Sequence, residues 1–140
     1  MLDLQNAKSE LLGGKFTCVL FHDGETFSSS LRGVAPLLGF LDSGRDFRAF
    51  CAADKVVGKG AAFLYVLLGV RALFAHVISE SALEVLRRAA VSVEFDTLVP
   101  YIKNRTGEGR CPIEQAVLEA EDATKALPLI RARLKELQKR

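Results

Sequence analysis

The sequence predicts an α/β protein, a three-layer α/β/α sandwich on one mixed sheet of about five strands. Three observations predict it. From Phe47 onward, apolar strand-like runs alternate with helical stretches in the order strand, helix, strand, helix, strand. That order makes two consecutive βαβ units, hence three parallel strands with right-handed crossovers. Ahead of them, Phe16 to His22 and Glu25 to Ser30 flank Asp23-Gly24, a strong hairpin signal, so two further strands join and one runs antiparallel. Finally, 140 residues with 49% hydrophobic and 26% charged content fit a single domain over 1–140 that needs no staples.

Each element has a local cause. Leu4, Ala7, Leu11 and Leu12 recur at helical spacing, Asp3 is placed to cap that helix, and Gly13-Gly14 stops it. Gly33 to Leu41 predicts a short helix with Pro36 in its first turn. Phe47 to Ala53 predicts a buried strand, and Asp54 to Leu68 a long helix. Arg71 to Ile78 is the clearest core strand. Ser81 and Glu84 have capping-box spacing, which starts a helix near Ala82 and runs it to Ala90. Val91 to Phe95 is a further strand, and Thr97 to Lys103 is ambiguous around Pro100. Pro112 to Glu121 and Leu127 to Gln138 predict the last two helices. In the final one Leu127, Ile130, Leu134 and Leu137 form a stripe that suits a partner chain or the domain itself equally well.

Composition excludes some functions. A net charge of +2 is too small to imply nucleic acid. The charge is uneven, with four acids and no base over Pro112–Ala123, then six Lys/Arg against Glu136 in a basic C-terminal helix from about residue 124. Cys18, Cys51 and Cys111 are an odd count without paired spacing, as expected of free thiols in a reducing cytoplasm. The start, MLDLQNAKSELL, has no signal-peptide pattern. The longest apolar run, Ala61 to Val70, is about half a membrane span, so no membrane segment is expected.

Candidate chemistry gathers where ligands meet parallel sheets, outside the carboxyl ends of the strands. With helices starting at Asp54 and after Ser79, that edge carries Asp54-Lys55 and Ser79-Glu80-Ser81, with free backbone N–H groups and partial positive charge. Lys55 and Lys59, four apart, would share a helix face and favour a bound anion. The string ADKVVGKG resembles a phosphate-binding Walker loop but lacks Gly at Ala53 and Ser/Thr at Gly60, which excludes that motif. NRTGEGRCPIE, residues 104–114, is the second centre. Gly107 and Gly109 let backbone N–H groups converge on an anion, and Asn104, Arg105 and Thr106 add donors. Cys111 falls at a helix N-cap, with Pro112 in the first helical position and Glu114 in the third, where its carboxylate can reach a free N–H. Beside Arg105 or Arg110, the Cys111 thiol is a candidate nucleophile, or simply a small residue packed at a helix start. Arg32 enters a helix at Gly33 and can reach across. His76 reads as a core histidine, His22 as solvated, and Cys18 and Cys51 as buried strand residues.

RGVAPLL at Arg32–Leu38, ADKVVGK at Ala53–Lys59 and NRTGEGRCPIE at Asn104–Glu114, in that order, resemble the domain of unknown function family 1893 over roughly Leu2 to Asp122. The resemblance implies a cytidine-deaminase-like fold, prokaryotic origin and, because that fold often pairs, a homodimer. Deaminase chemistry does not carry over. A zinc deaminase needs a His or Cys two residues before a catalytic Glu at one helix start, and Pro-Cys-x-x-Cys at the next. Here Ala52 and Asp54 stand at the first pair of positions, Ser79-Glu80-Ser81-Ala82 at the second, and no metal ligand is in place.

The expected function is therefore a binding protein without cofactor or metal. Its deaminase-like pocket has lost zinc and takes a small anionic, phosphate-bearing or nucleotide-like ligand through Arg32, Asp54, Lys55, Ser79, Ser81, Asn104, Arg105, Thr106, Gly107, Gly109 and Cys111. Two alternatives stay open. One is a metal-free enzyme using Asp54 or Glu114 as acid/base and Cys111 as nucleophile. The other is an oligomeric regulatory module.

Overall fold

A computed structural model describes residues 2–104 and 106–139. In chain order the elements are α1 (Leu2–Gly13), β1 (Cys18–His22), β2 (Glu25–Ser29), α2 (Ala35–Asp42), β3 (Cys51–Val57), α3 (Lys59–Leu68), β4 (Ala72–Ser79), α4 (Glu80–Arg88), β5 (Ser92–Val99), α5 (Pro112–Ala116) and α6 (Ala123–Gln138). The strands form one mixed sheet in the order β2-β1-β3-β4-β5. β1 pairs antiparallel with both β2 and β3, while β3, β4 and β5 run parallel. The five-stranded mixed sheet with its N-terminal hairpin is the one the sequence predicts. Asp23 and Gly24 turn that hairpin with φ of 47° and 81°, the left-handed pair that a two-residue hairpin turn of this kind requires.

The two sheet faces are covered unequally. Among the described residues α1 alone lies on one, its Leu4, Ala7 and Leu11 packing on Val19, Cys51, Ala53, Ala72 and Phe74. Asp3 sits inside the first turn of α1 rather than capping it, and its carboxylate holds His22 Nδ1 at 2.9 Å. On the other face α2, α3, α4, α5 and α6 close over Cys18, Leu20, Ala52, Leu73, Ala75 and Ile78. Ile130 is fully buried there, with Leu127, Leu134 and Leu137 packed beside it, so the stripe of the last helix docks on its own domain.

Several boundaries differ from expectation: β3 starts at Cys51 rather than Phe47, β5 runs on to Val99, and α5 ends at Ala116. One difference, at the end of β3, relocates the site. The segment expected to be helical from Asp54 continues as strand through Val57. Ala52 and Val56, and Ala53 and Val57, are four apart and fit helical spacing too, but the backbone finds strand partners on both sides. Cys18 opposes Asp54, Lys55 N donates to Thr17 O at 3.0 Å, and Val56 and Val57 pair with Val77 and Ile78. Tertiary pairing overrides the local pattern. Gly58, extended at φ −91° and ψ 179°, is the N-cap, and α3 begins at Lys59. Lys55 is thus an exposed strand residue and shares no helix face with Lys59. In β4, His76 is half-exposed and pairs with Asp96 of β5 at 2.9 Å, so it is not a core histidine. The next helix starts earlier than expected. Ser79, not Ser81, is the N-cap of α4, accepting the Ala82 N–H at 3.2 Å.

Candidate functional site

The carboxyl ends of β3 and β4 lead into α3 and α4, and one side chain fills the space between them. Glu114, 1% exposed, comes from α5. Its Oε2 accepts the Lys59 N–H at 2.7 Å and the Ser79 hydroxyl at 2.6 Å, and its Oε1 accepts the Ile102 N–H at 2.7 Å. Three donors from three segments converge on one carboxylate. Lys59 is the first residue of α3, where partial positive charge favours an anion. The reach-back expected of a residue at the third helical position is therefore made to other elements.

This contact explains the glycines of ADKVVGKG. A Cβ on Gly58 would lie 3.0 Å from Glu114 Oε2 and 3.1 Å from Ile102 Cγ1. A Cβ on Gly60 would lie 2.6 Å from Ile113 Cγ2. The spacing that mimics a phosphate loop is the footprint of α5 pressed onto the start of α3. Lys59 extends outward, its Nζ donating to Leu118 O at 2.7 Å and lying 5.7 Å from the Phe63 ring centre.

The 103–110 loop stands at the same rim, joined to it through Ile102, which touches Gly58 and receives the Cys111 N–H at 2.8 Å. An antiparallel bridge between Lys103 and Arg110 closes the loop. Among the described residues, the donors at 106–109 are turned inward. Asn104 Oδ1 accepts from Thr106 Oγ1 at 2.9 Å, Glu108 N at 3.2 Å and Gly109 N at 3.4 Å, and Gly107 N donates to Asn104 O. Gly107 has φ of 77°, as the turn requires. Arg110 lies 4.5 Å over the Tyr101 ring, and Arg105 falls outside the described residues. Cys111 is the N-cap of a five-residue helix and packs partly buried against the main core.

Asp54 belongs to a different environment. It is buried at the centre of the sheet, where Oδ2 accepts the Tyr65 hydroxyl at 2.6 Å and Oδ1 accepts the Val56 N–H at 3.2 Å. Burial without a cation raises its pKa to about 7, an effect that the Tyr65 bond and the backbone bonds only partly oppose. Burial, then the Asp54 charge, pushes Tyr65 upward, and the same two causes push Cys18 to about 12. The rim thus brings Ser79, Glu114, Cys111 and residues 104 and 106–110 together. It leaves Asp54 inside the sheet, Lys55 exposed on β3, and Arg32 exposed before α2.

Beside the rim a groove of about 420 Å³ runs between α3, α4 and residues 118–123. Phe63, Val66 and Val85 contribute apolar lining, while Lys59, Ser81 and Arg88 bring polar ends. Of these, Ser81 is a site residue that the sequence predicts. Phe63 and Arg88 escape sequence reasoning, because only the packed helices bring them together. Tyr65 escapes it too, although a signal exists: a hydroxyl in the apolar run AAFLYVLL needs a buried partner, and Asp54 is the nearby polar residue in an equally apolar strand.

The model of the TM1506 family, Domain of unknown function (DUF1893), matches residues 6–134. A solved structure of a DUF1893 family protein (TM1506) from Thermotoga maritima, at 2.70 Å resolution, superposes with a TM-score of 0.84 at 24% identity, covering 97% of this chain and 91% of that one. This likeness concerns the fold. No curated protein matches.

Proposed function

We propose, for a chain that belongs to the DUF1893 family, that it is a small-molecule-binding protein whose ligand lies in the groove between α3, α4 and residues 118–123. The observation that carries this proposal is the meeting of Lys59, Ser81 and Arg88 around an apolar lining of Phe63, Val66 and Val85, beside the carboxyl edge of the sheet. A groove of about 420 Å³ suits a ligand of nucleotide size, with an apolar or aromatic body and a few fixed polar contacts. The phosphate-bearing end sits by Lys59, Ser81 and Arg88.

Charge narrows the class. The groove also carries Glu84, Glu119, Glu121 and Asp122. Arg88 neutralises Glu84 at 2.7 Å, and Asp122 caps α6 by accepting the Lys125 N–H at 2.8 Å. Glu119 and Glu121 remain as exposed acids on the outer wall. That balance favours one phosphate over three.

A deaminase-like pocket without zinc is the finer part of the proposal. The sheet order and the two helices leaving β3 and β4 support it. The helix starts carry Gly58-Lys59-Gly60 and Ser79-Glu80-Ser81, which do not fit a zinc site made of His and Cys. Glu114 fills the space between them instead. Neither Asp54 nor Glu114 lines the groove, which speaks for binding there over acid–base catalysis by these two carboxyls.

A thermal-shift screen tests the proposal with nucleoside monophosphates, nucleoside triphosphates and phosphosugars on the wild type and on Arg88→Ala. Ligand at a hundred times its Kd stabilises a fold by about 2.7 kcal/mol, an easily seen shift. A monophosphate is expected to stabilise the wild type and to lose its effect on the variant. No stabilisation by any of them at millimolar concentration would sink the proposal.

A further inference from the structure

β5 ends the sheet on one side and β2 on the other, and the two edges are built differently. β2 is a five-residue strand, ETFSS, and β5 an eight-residue strand, SVEFDTLV. An edge strand offers a row of unpaired N–H and C=O groups, which proteins blunt with short length, Lys, Pro or a covering element. β5 has neither Lys nor Pro, and among the described residues no further strand pairs with it. Its Ser92, Asp96, Thr97 and Leu98 are exposed. The Ser92 N–H donates to Arg71 O at 3.3 Å, on the β4 side. Backbone groups of successive strand residues point to opposite edges, so the N–H and C=O of Val93 and Phe95 face outward.

Both faces of this edge suit a copy of the same strand. On one, Val93 and Phe95 pack against the main core. Beside them a hollow of about 320 Å³ lies between α4 and β5, lined by Leu83, Arg87 and Leu98, and Leu98 is 43% exposed. On the other face stand the two charged residues of the strand, Glu94 and Asp96. Each already has a partner in its own chain: Lys8 of α1 bonds Glu94 at 2.6 Å, and His76 of β4 bonds Asp96 at 2.9 Å. Two such strands therefore meet without the repulsion of bare acids, and nothing on β5 selects a strongly charged peptide.

We propose that β5 pairs antiparallel with β5 of a second copy of this chain, joining the two sheets into one. A two-fold axis at Phe95 sets its outward groups opposite those of Phe95 in the second copy, so that the two residues exchange both hydrogen bonds. Glu94 with its Lys8 then lies opposite Asp96 of the second copy with its His76. The assembly stops at two chains, because the axis uses each β5 edge once. The pairing stands whether or not the groove takes a phosphate ligand.

Analytical sedimentation at about 5 µM and about 100 µM protein tests it, on the wild type, Val93→Pro, Thr97→Lys and Ser28→Lys. Val93→Pro removes an outward N–H and no bond to β4, and Thr97→Lys puts a charge at an exposed edge position. Ser28→Lys, at an exposed position of β2, is the control. The wild type and Ser28→Lys are expected to be dimers at the higher concentration, and the two β5 variants to raise the dimer Kd about tenfold or more. Circular dichroism checks that each variant is folded, and if the proline variant is not, Thr97→Lys decides alone. In the wild type the Val93 and Phe95 amides, open in a single chain, should also exchange about tenfold more slowly at the higher concentration. A wild type that stays monomeric at both concentrations would overturn the pairing and leave the edge to an extended segment of another protein. A dimer that the folded β5 variants retain, or one whose Val93 and Phe95 amides stay unprotected, would put the interface elsewhere and overturn it equally.

Discussion

Ser79 donates its hydroxyl to Glu114 across 2.6 Å, although 35 residues separate them in the chain. The same Ser79 Oγ accepts the Ala82 N–H and so caps α4. One hydroxyl thus links a helix start to a carboxylate that also holds the start of α3 and the Ile102 amide. The sheet edge that elementary rules mark as an anion site does hold an anion, and the chain supplies it.

The clasp requires a group that accepts on both oxygens. Glu114→Ala leaves two backbone N–H groups and a hydroxyl without their acceptor in a buried place, and is expected to cost about 3–5 kcal/mol. Glu114→Gln keeps the shape but turns an amide donor toward one of the N–H groups, and should cost about 1–3 kcal/mol. Urea denaturation of both variants measures this. An alanine variant within about 0.5 kcal/mol of wild type would show that the clasp carries no stability.

Gly60 is the second half of that fit. A methyl group there would meet Ile113 Cγ2 at 2.6 Å, with backbone atoms of the same residue at 3.6–3.8 Å behind it. Gly60→Ala gains helix propensity of about 1 kcal/mol, yet overpacking is expected to outweigh it, leaving a net loss of about 1–2 kcal/mol. Gly39→Ala is the control, because a methyl group there would meet nothing within 4 Å and the position is also helical. The expected order of thermal midpoints is Gly39→Ala above Gly60→Ala, and the reverse order would contradict the close approach of α5.

Much of the fold is legible because its signals are local. Asp23-Gly24 forces its hairpin, Leu4, Ala7 and Leu11 mark the buried side of α1, and Cys111-Pro112 opens α5. The difference at 54–57 arises where locality fails. Val56 and Val57 fit a helix by spacing and a strand by partner, and Thr17, Val77 and Ile78 decide between them from elsewhere in the chain. The site follows the same pattern. The spacing of Pro112 and Glu114 shows a carboxylate poised at a helix start, but not that its donors are Lys59, Ser79 and Ile102. Nothing in NRTGEGR distinguishes donors aimed at a ligand from donors folded back on Asn104, since both need the same glycines.

The pH profile of stability carries the mark of Asp54. Its pKa is raised in the folded chain, to about 7 against 3.8, so the folded state binds the extra proton between these values. Its contribution is therefore greatest at low pH, declines as pH rises from about 4 to 7, and is flat above that. Asp54→Asn should remove the decline and stabilise the protein at pH 8, on the order of 2–4 kcal/mol, relative to its effect at pH 4. Denaturation curves for both proteins across this range check it. A variant with the same pH slope as wild type would assign the slope to other groups.

The central claim is that the rim is closed by Glu114 and that a ligand must use the groove beside it. Amide chemical-shift mapping by NMR during titration with a nucleoside monophosphate tests this most directly. Shifts are expected at Lys59, Phe63, Ser81, Val85 and Arg88, with little change at Thr106, Gly107 and Gly109. Shifts confined to the 104–110 loop, with the groove silent, would contradict it.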